Sequence, residues 1–98
     1  MIYRFDDYSL DDKNFALSKQ NKKVSLEPKV FDVLTYLIKN REKVHSKDEL
    51  IDELWDGRVI SDAALNTCIR SVRRALDDDA KQHKYIQTFP KRGFQFVA

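Results

Sequence analysis

The apolar residues of this chain change their spacing twice, and that limits the folds open to it more than any single residue does. At first they come in brief runs: Ile2-Tyr3-Arg4-Phe5, Tyr8-Ser9-Leu10, Phe15-Ala16-Leu17 and Val24-Ser25-Leu26. Turn-rich clusters separate them, Asp6-Asp7, Asp11-Asp12-Lys13-Asn14 and Gln20-Asn21-Lys22. This pattern predicts short strands in an antiparallel meander. From Pro28 the spacing becomes helical. Val30, Phe31, Leu34, Leu37 and Ile38 recur at three- and four-residue steps, and Asn40 with Arg41-Glu42-Lys43 closes the helix. After two more helical segments the pattern returns to short runs, Tyr85-Ile86-Gln87-Thr88-Phe89 and Phe94-Gln95-Phe96-Val97. Pro90-Lys91-Arg92-Gly93 joins them, which reads as a hairpin with a basic tip and Gly93 supplying a positive φ.

The two remaining helices have clear starts. Ser46-Lys47-Asp48-Glu49 is a capping box, in which Ser46 accepts from the backbone of Glu49 and the Glu49 carboxylate reaches back. Leu50, Ile51, Leu54 and Trp55 form its inner side, Asp48, Glu49, Asp52 and Glu53 face outward, and Gly57 ends it. Ser61 is the next N-cap, with Asp62 favourable in the first turn. Leu65, Ile69, Val72 and Leu76 then make a narrow core stripe. Thr67, Arg70, Ser71 and Arg74 lie opposite, Asn66 and Arg73 flank the stripe, and the helix stops at Asp77-Asp78-Asp79. The expected fold is α+β: a four-stranded antiparallel sheet, three helices and a C-terminal hairpin, in one domain over residues 1–98.

With 98 residues, 42% of them hydrophobic and 35% charged, the chain supports one modest core and no deep cavity between domains. A single cysteine excludes an internal disulfide framework and fits a reducing, cytosolic setting. No apolar stretch reaches the roughly 20 residues that cross a bilayer. The N-terminus lacks a signal-peptide layout. No nucleophile–base set, Gly-rich phosphate loop or paired catalytic carboxylates stands out, so an enzyme is not expected. His45 and His83 stand alone in predicted loops, so neither a metal nor another cofactor is expected. Cys68 and Trp55 read as packing residues.

The net charge of +2 says little, but its distribution is informative. Residues 63–76 carry three arginines and no acid, residues 80–98 carry four basic residues and no acid, and residues 48–56 carry five acids and no base. Such polarity points to a polyanion on one side. Two adjacent helices, the second with a basic outer face of small polar residues, suit insertion into a major groove about 12 Å wide. A basic hairpin beside it suits the neighbouring minor groove. Taken singly, an arginine-bearing helix is more often a plain surface helix and a Pro-Lys-Arg-Gly tip more often just a turn; it is their adjacency, with the acids kept off both, that favours nucleic acid.

Leu26-Glu27-Pro28-Lys29, the Asp48-Glu49-Leu50-Ile51…Trp55 helix and Ile69-Arg70-Ser71-Val72-Arg73-Arg74-Ala75-Leu76 resemble the OmpR/PhoB-type winged-helix DNA-binding domain. Tyr85 to Phe94, with its Pro-Lys-Arg-Gly-aromatic hairpin, is most similar to the ToxR/CadC-like branch. The resemblance implies a transcriptional regulator whose third helix reads the major groove and whose wing reads the minor groove of double-stranded DNA. By position it implies contacts from Asn66, Thr67, Arg70, Ser71 and Arg74, with Arg73 towards the phosphates, and from Thr88, Lys91 and Arg92 in the wing. Many members have Tyr at the place of Phe94, and Arg or His at the places of Ser71 and Cys68, which bears on base preference. The resemblance also implies that Asp48, Glu49, Asp52 and Glu53 can face RNA polymerase. One domain of this size makes few contacts, so weak binding alone is expected, with paired or tandem protomers on repeated half-sites raising affinity. A start at the first strand suits the N-terminal, cytoplasmic part of a longer regulator, either one anchored in the inner membrane or a soluble one with downstream repeats. Two rival readings are a winged helix that docks protein without binding DNA, and a single-strand binder, which would need exposed aromatic platforms.

Overall fold

The computed structural model describes residues 1–56, 58, 60–78 and 84–98. Its elements follow the expected order: β1 (Ile2–Phe5), β2 (Tyr8–Asp11), β3 (Ala16–Lys19), β4 (Lys22–Val24), α1 (Pro28–Lys39), α2 (Lys47–Leu54), α3 (Asp62–Ala75), β5 (Ile86–Phe89) and β6 (Gly93–Phe96). The first four strands form an antiparallel meander and the last two a hairpin. Two strands sit differently from the sequence reading. The third begins at Ala16, because Asp11 pairs with Ala16 and leaves residues 12–15 as a turn. The Asp11 carboxylate fixes that turn, accepting from the backbone N–H of Lys13 (3.0 Å) and Asn14 (3.3 Å) and from Asn14 Nδ2 (2.7 Å). Phe15 is therefore in the turn at φ 51°, exposed, its ring edge-on to Phe31. The fourth strand ends at Val24, opposite Leu17, and Ser25-Leu26 carry the chain over to α1.

The core is continuous from sheet to wing. Leu10 and Leu17 from the sheet meet Val33, Leu34, Leu37 and Ile38 of α1, then Leu50 of α2, and Ile86 and Phe96 of the hairpin. The α3 stripe Leu65, Ile69, Val72 and Leu76 is buried throughout, as its spacing predicts. That burial fixes the rotation of α3 about its axis, and so decides which side chains face solvent.

Both predicted N-caps are present. Ser46 Oγ accepts from Glu49 N (3.1 Å) and Ser61 Oγ from Ala64 N (3.1 Å). The other half of the Ser46 box differs, since the Glu49 carboxylate turns to Tyr36 and His45 instead of reaching back. Helix α2 stops at Leu54 with Trp55 as its C-cap, so Trp55 is half-buried at the end of the helix. Lys29 Nζ donates to the Leu54 carbonyl (2.6 Å) and lies over the Trp55 ring, supplying the cation this helix end otherwise lacks. Gly57, Asp79 and His83, to which the sequence reading assigned a stop, an acid and a loop histidine, lie outside the described residues.

Two inconspicuous polar residues turn out to hold the wing. Asp78 is buried, and its carboxylate accepts from the backbone N–H groups of Lys84 (2.6 Å), Tyr85 (3.0 Å) and Ile86 (2.9 Å). It thereby ties the end of α3 to the start of β5. His45 was expected in a loop but is fully buried. Its backbone pairs with Phe94 in both directions (2.8 and 2.9 Å), adding a bridge to the hairpin. Its ring gives Nε2 to the Asn40 carbonyl (2.7 Å) and Nδ1 to Glu49. Both ring nitrogens thus face acceptor oxygens, one of them on the Glu49 carboxylate. Tyr36 OH donates to the same carboxylate (2.8 Å); burial and that bond push the phenol up to about 12.

Candidate nucleic-acid interface

Helix α3 and the wing face each other across a groove of about 710 Å³. One wall is the flank of α3, with Asp62, Asn66, Ile69, Arg70 and Arg73. The opposite wall is the wing from Thr88 to Phe94, and Ser46, Lys47 and Asp48 at the start of α2 complete the rim. Arg70, Lys91 and Arg92 are exposed along it. The groove thus brings together six of the nine residues chosen from the sequence: Asn66, Arg70, Arg73, Thr88, Lys91 and Arg92. Ser71 and Arg74 border a smaller hollow on the other flank, against Ser25, Leu26 and Glu27 before α1. Thr67 lies exposed between the two flanks, its hydroxyl donating back to the Ala63 carbonyl (2.9 Å).

The wing tip has a specific geometry. Arg92 N donates to the Phe89 carbonyl (2.8 Å), closing a turn with Pro90 and Lys91 at its centre. Lys91 has φ 63°, so the left-handed position falls on a lysine, at the place where a type II turn favours glycine. Gly93 also has a positive φ, but its special demand is space. A Cβ there would stand 1.9 Å from the His45 carbonyl oxygen. The wing therefore leans directly on the backbone before α2, which fixes how Lys91 and Arg92 stand relative to α3.

Arg73 is half-buried and joins the two walls. Its guanidinium donates to the Ile86 carbonyl (2.8 and 3.2 Å) and to Thr88 Oγ1 (2.8 Å). Burial lowers its pKa against the opposing pull of Asp78. These bonds make Arg73 and Thr88 a clasp between α3 and β5. Cys68 is half-buried on the α1 side of α3, where burial pushes its thiol up and so disfavours the reactive thiolate.

The acids are less segregated in space than along the chain. Asp48 and Asp62 both border the basic groove. Glu49 is half-buried and engaged by His45 and Tyr36, so it does not belong to an outward acidic face. Of the four acids expected to share a partner surface, Asp52 and Glu53 are the pair left exposed away from that groove. The sequence reading missed Lys47 as a groove residue. The signal was there, since the first helix of a helix-turn-helix crosses the DNA backbone.

The sheet, three helices and wing align over nearly their full length with known domains. The Klebsiella pneumoniae RstA DNA-binding domain, solved in complex with the RstA box, superposes with a TM-score of 0.87 at 23% identity, covering 98% of this chain and 96% of that one, a likeness of fold. The DNA-binding domain of Escherichia coli CadC gives 0.83 at 28% identity, covering 97% and 90%. Residues 21–96 match the family model described as "Transcriptional regulatory protein, C terminal". The chain belongs to this family. It is a winged-helix domain of the OmpR/PhoB type, the DNA-binding part of transcriptional regulators, and not an enzyme. The Salmonella typhi transcriptional regulator HilA is 36% identical over 92 residues, which are 94% of this chain and 16% of HilA. The chain thus spans about a sixth of the length of that relative. Among the described residues no helix is long and apolar enough to cross a membrane.

Proposed function

We propose that this domain binds double-stranded DNA sequence-specifically, with α3 in the major groove and the wing tip in the adjacent minor groove. The observation that carries this reading is the shared groove: the α3 stripe is buried, and Arg70 on the flank beside it looks across at Lys91 and Arg92. Arg70 is assigned to a guanine edge and Asn66 to an adenine edge, the pairings their donors and acceptors suit. Thr67 and Ser71 accompany them on the outer face. Lys47, Arg74 and Lys91 take phosphates, and Arg92 enters the minor groove. Arg73 and Thr88 act by holding the wing to α3.

Gel-shift titration with duplexes selected from a random pool tests the reading. About three neutralised phosphates, one each for Lys47, Arg74 and Lys91, predict a slope near −2.7 for log affinity against log salt. Replacing Arg70 relaxes base preference at one position, whereas replacing Lys91 weakens all duplexes alike. Salt-independent affinity, preference for single strands, or equal binding of every duplex would each overturn it; no binding at all would favour the protein-docking alternative.

The reading extends to the whole protein. The regulator acts in transcription, as HilA and CadC are named to do. Its exposed Asp52 and Glu53 face RNA polymerase, and its domains pair or repeat on half-sites, which raises the affinity of a small interface. This domain works in the cytoplasm, with membrane anchoring, where present, supplied by other parts of the chain.

A further inference from the structure

We infer that Asp62 is a specificity-determining residue that selects an amino-bearing base, cytosine foremost, at the end of the site read by the start of α3. The inference rests on the DNA-binding reading above and deepens it. Asp62, Asn66 and Arg70 are spaced four residues apart and line the same wall of the groove. Each step advances the helix by about 6 Å and turns it by about 40°, so the three form one gently winding stripe. Along it the side chains pass from pure acceptor, through acceptor and donor, to pure donor.

Asp62 has no structural task that consumes its carboxylate. Ser61 already caps α3. Among the described residues no hydrogen bond or ion pair engages the Asp62 side chain, although Arg70 and Lys47 line the same groove. Against DNA, an exposed carboxylate is repelled by phosphates and by the acceptors that dominate the major-groove edges of guanine and thymine. The donors there are the N4 amino group of cytosine and the N6 amino group of adenine. Cytosine flanks its amino group with the paired guanine O6 on one side only, whereas adenine N6 lies between its own N7 and the thymine O4, so the carboxylate favours cytosine. The roughly 12 Å between Asp62 and Arg70 along α3 corresponds to about three to four base pairs at ~3.4 Å each. Asp48 also borders the groove, but it stands on α2, outside the inserted helix.

The test compares the base preference of the unaltered domain with Asp62→Ala, Asp62→Asn and Arg70→Ala, each on duplexes varied one position at a time. Asp62→Ala is expected to flatten a preference of about tenfold for cytosine, three to four pairs from the guanine assigned to Arg70, and to leave that guanine preference intact. Asp62→Asn, which keeps the side chain's size, is expected to move the same position towards adenine. Unchanged preference at every position, with only a lower unfolding temperature or a uniform affinity change, would assign Asp62 to the helix dipole and overturn the inference alone. An unaltered domain without base preference, with Arg70→Ala binding as before, would overturn the DNA-reading proposal and this inference with it.

Discussion

Replacing Gly93 with alanine attacks the wing at its support. The added Cβ would lie 1.9 Å from the His45 carbonyl oxygen, 2.5 Å from the carbonyl carbon and 2.9 Å from Ser46 Cα, all backbone atoms that no side-chain rotation can move. The residue would also have to hold φ 139°, a conformation L side chains rarely adopt. The strain alone costs about 1–3 kcal/mol. Relieving the clash separates β6 from the chain before α2 and breaks the two His45–Phe94 backbone bonds, at about 1 kcal/mol each. The total of about 3–5 kcal/mol is a large share of the ~5–15 kcal/mol that holds a domain of this size. Urea unfolding followed by Trp55 fluorescence should show the midpoint falling accordingly. Truncating the His45 side chain should not rescue it, because the collision is with backbone. A Gly93→Ala unfolding free energy within about 0.5 kcal/mol of the parent's would refute the argued contact between wing and α2.

Three further outcomes follow from the same coordinates. Asp78→Ala leaves three backbone N–H groups at the base of the wing without their acceptor, and should cost about 3 kcal/mol or more by calorimetry. Lys91→Gly relieves the left-handed lysine at the tip, so it should leave stability equal or up to ~1 kcal/mol higher while weakening binding to every duplex; thermal melts and gel shifts read the two effects separately. Burial raises the Glu49 pKa, but its bonds to His45 and Tyr36 outweigh that and hold it below the usual 4.5. A carboxyl lowered on folding stabilises the fold above its unfolded pKa and loses that contribution as pH falls through the folded one. The stability difference between the parent and Glu49→Gln should therefore shrink as pH falls below about 4.5, as read by unfolding curves across that range.

Much of this architecture is legible in the spacing of apolar residues because burial and periodicity are one constraint. The stripe Leu65, Ile69, Val72 and Leu76 orients α3, and orienting α3 exposes Arg70 and Arg74 without any knowledge of the rest of the fold. What stays hidden depends on partners remote in sequence. Glu49 looks like a surface acid in a capping box until Tyr36 and His45, from α1 and the segment after it, arrive beside it. Asp78 looks like one of three solvated acids until the chain returns at Lys84, Tyr85 and Ile86 to donate to it. Arg73 gives no sign along the chain that it also clasps the wing, where β5 lays the Ile86 carbonyl and Thr88 hydroxyl against it. Charge segregation along the chain likewise says nothing of Asp48 and Asp62, which the crossing of α2 and α3 brings to the rim of the basic groove.

The central claim is that α3 and the wing tip form one surface for duplex DNA. The most direct measurement follows backbone amide resonances while the isotope-labelled domain is titrated with a selected duplex. Shifts should concentrate on Lys47, on residues 62–74 and on residues 88–93, leaving Arg4, Ser18 and Lys23 on the outer side of the sheet undisturbed. Shifts centred on that sheet, with Arg70, Lys91 and Arg92 unmoved, would contradict it.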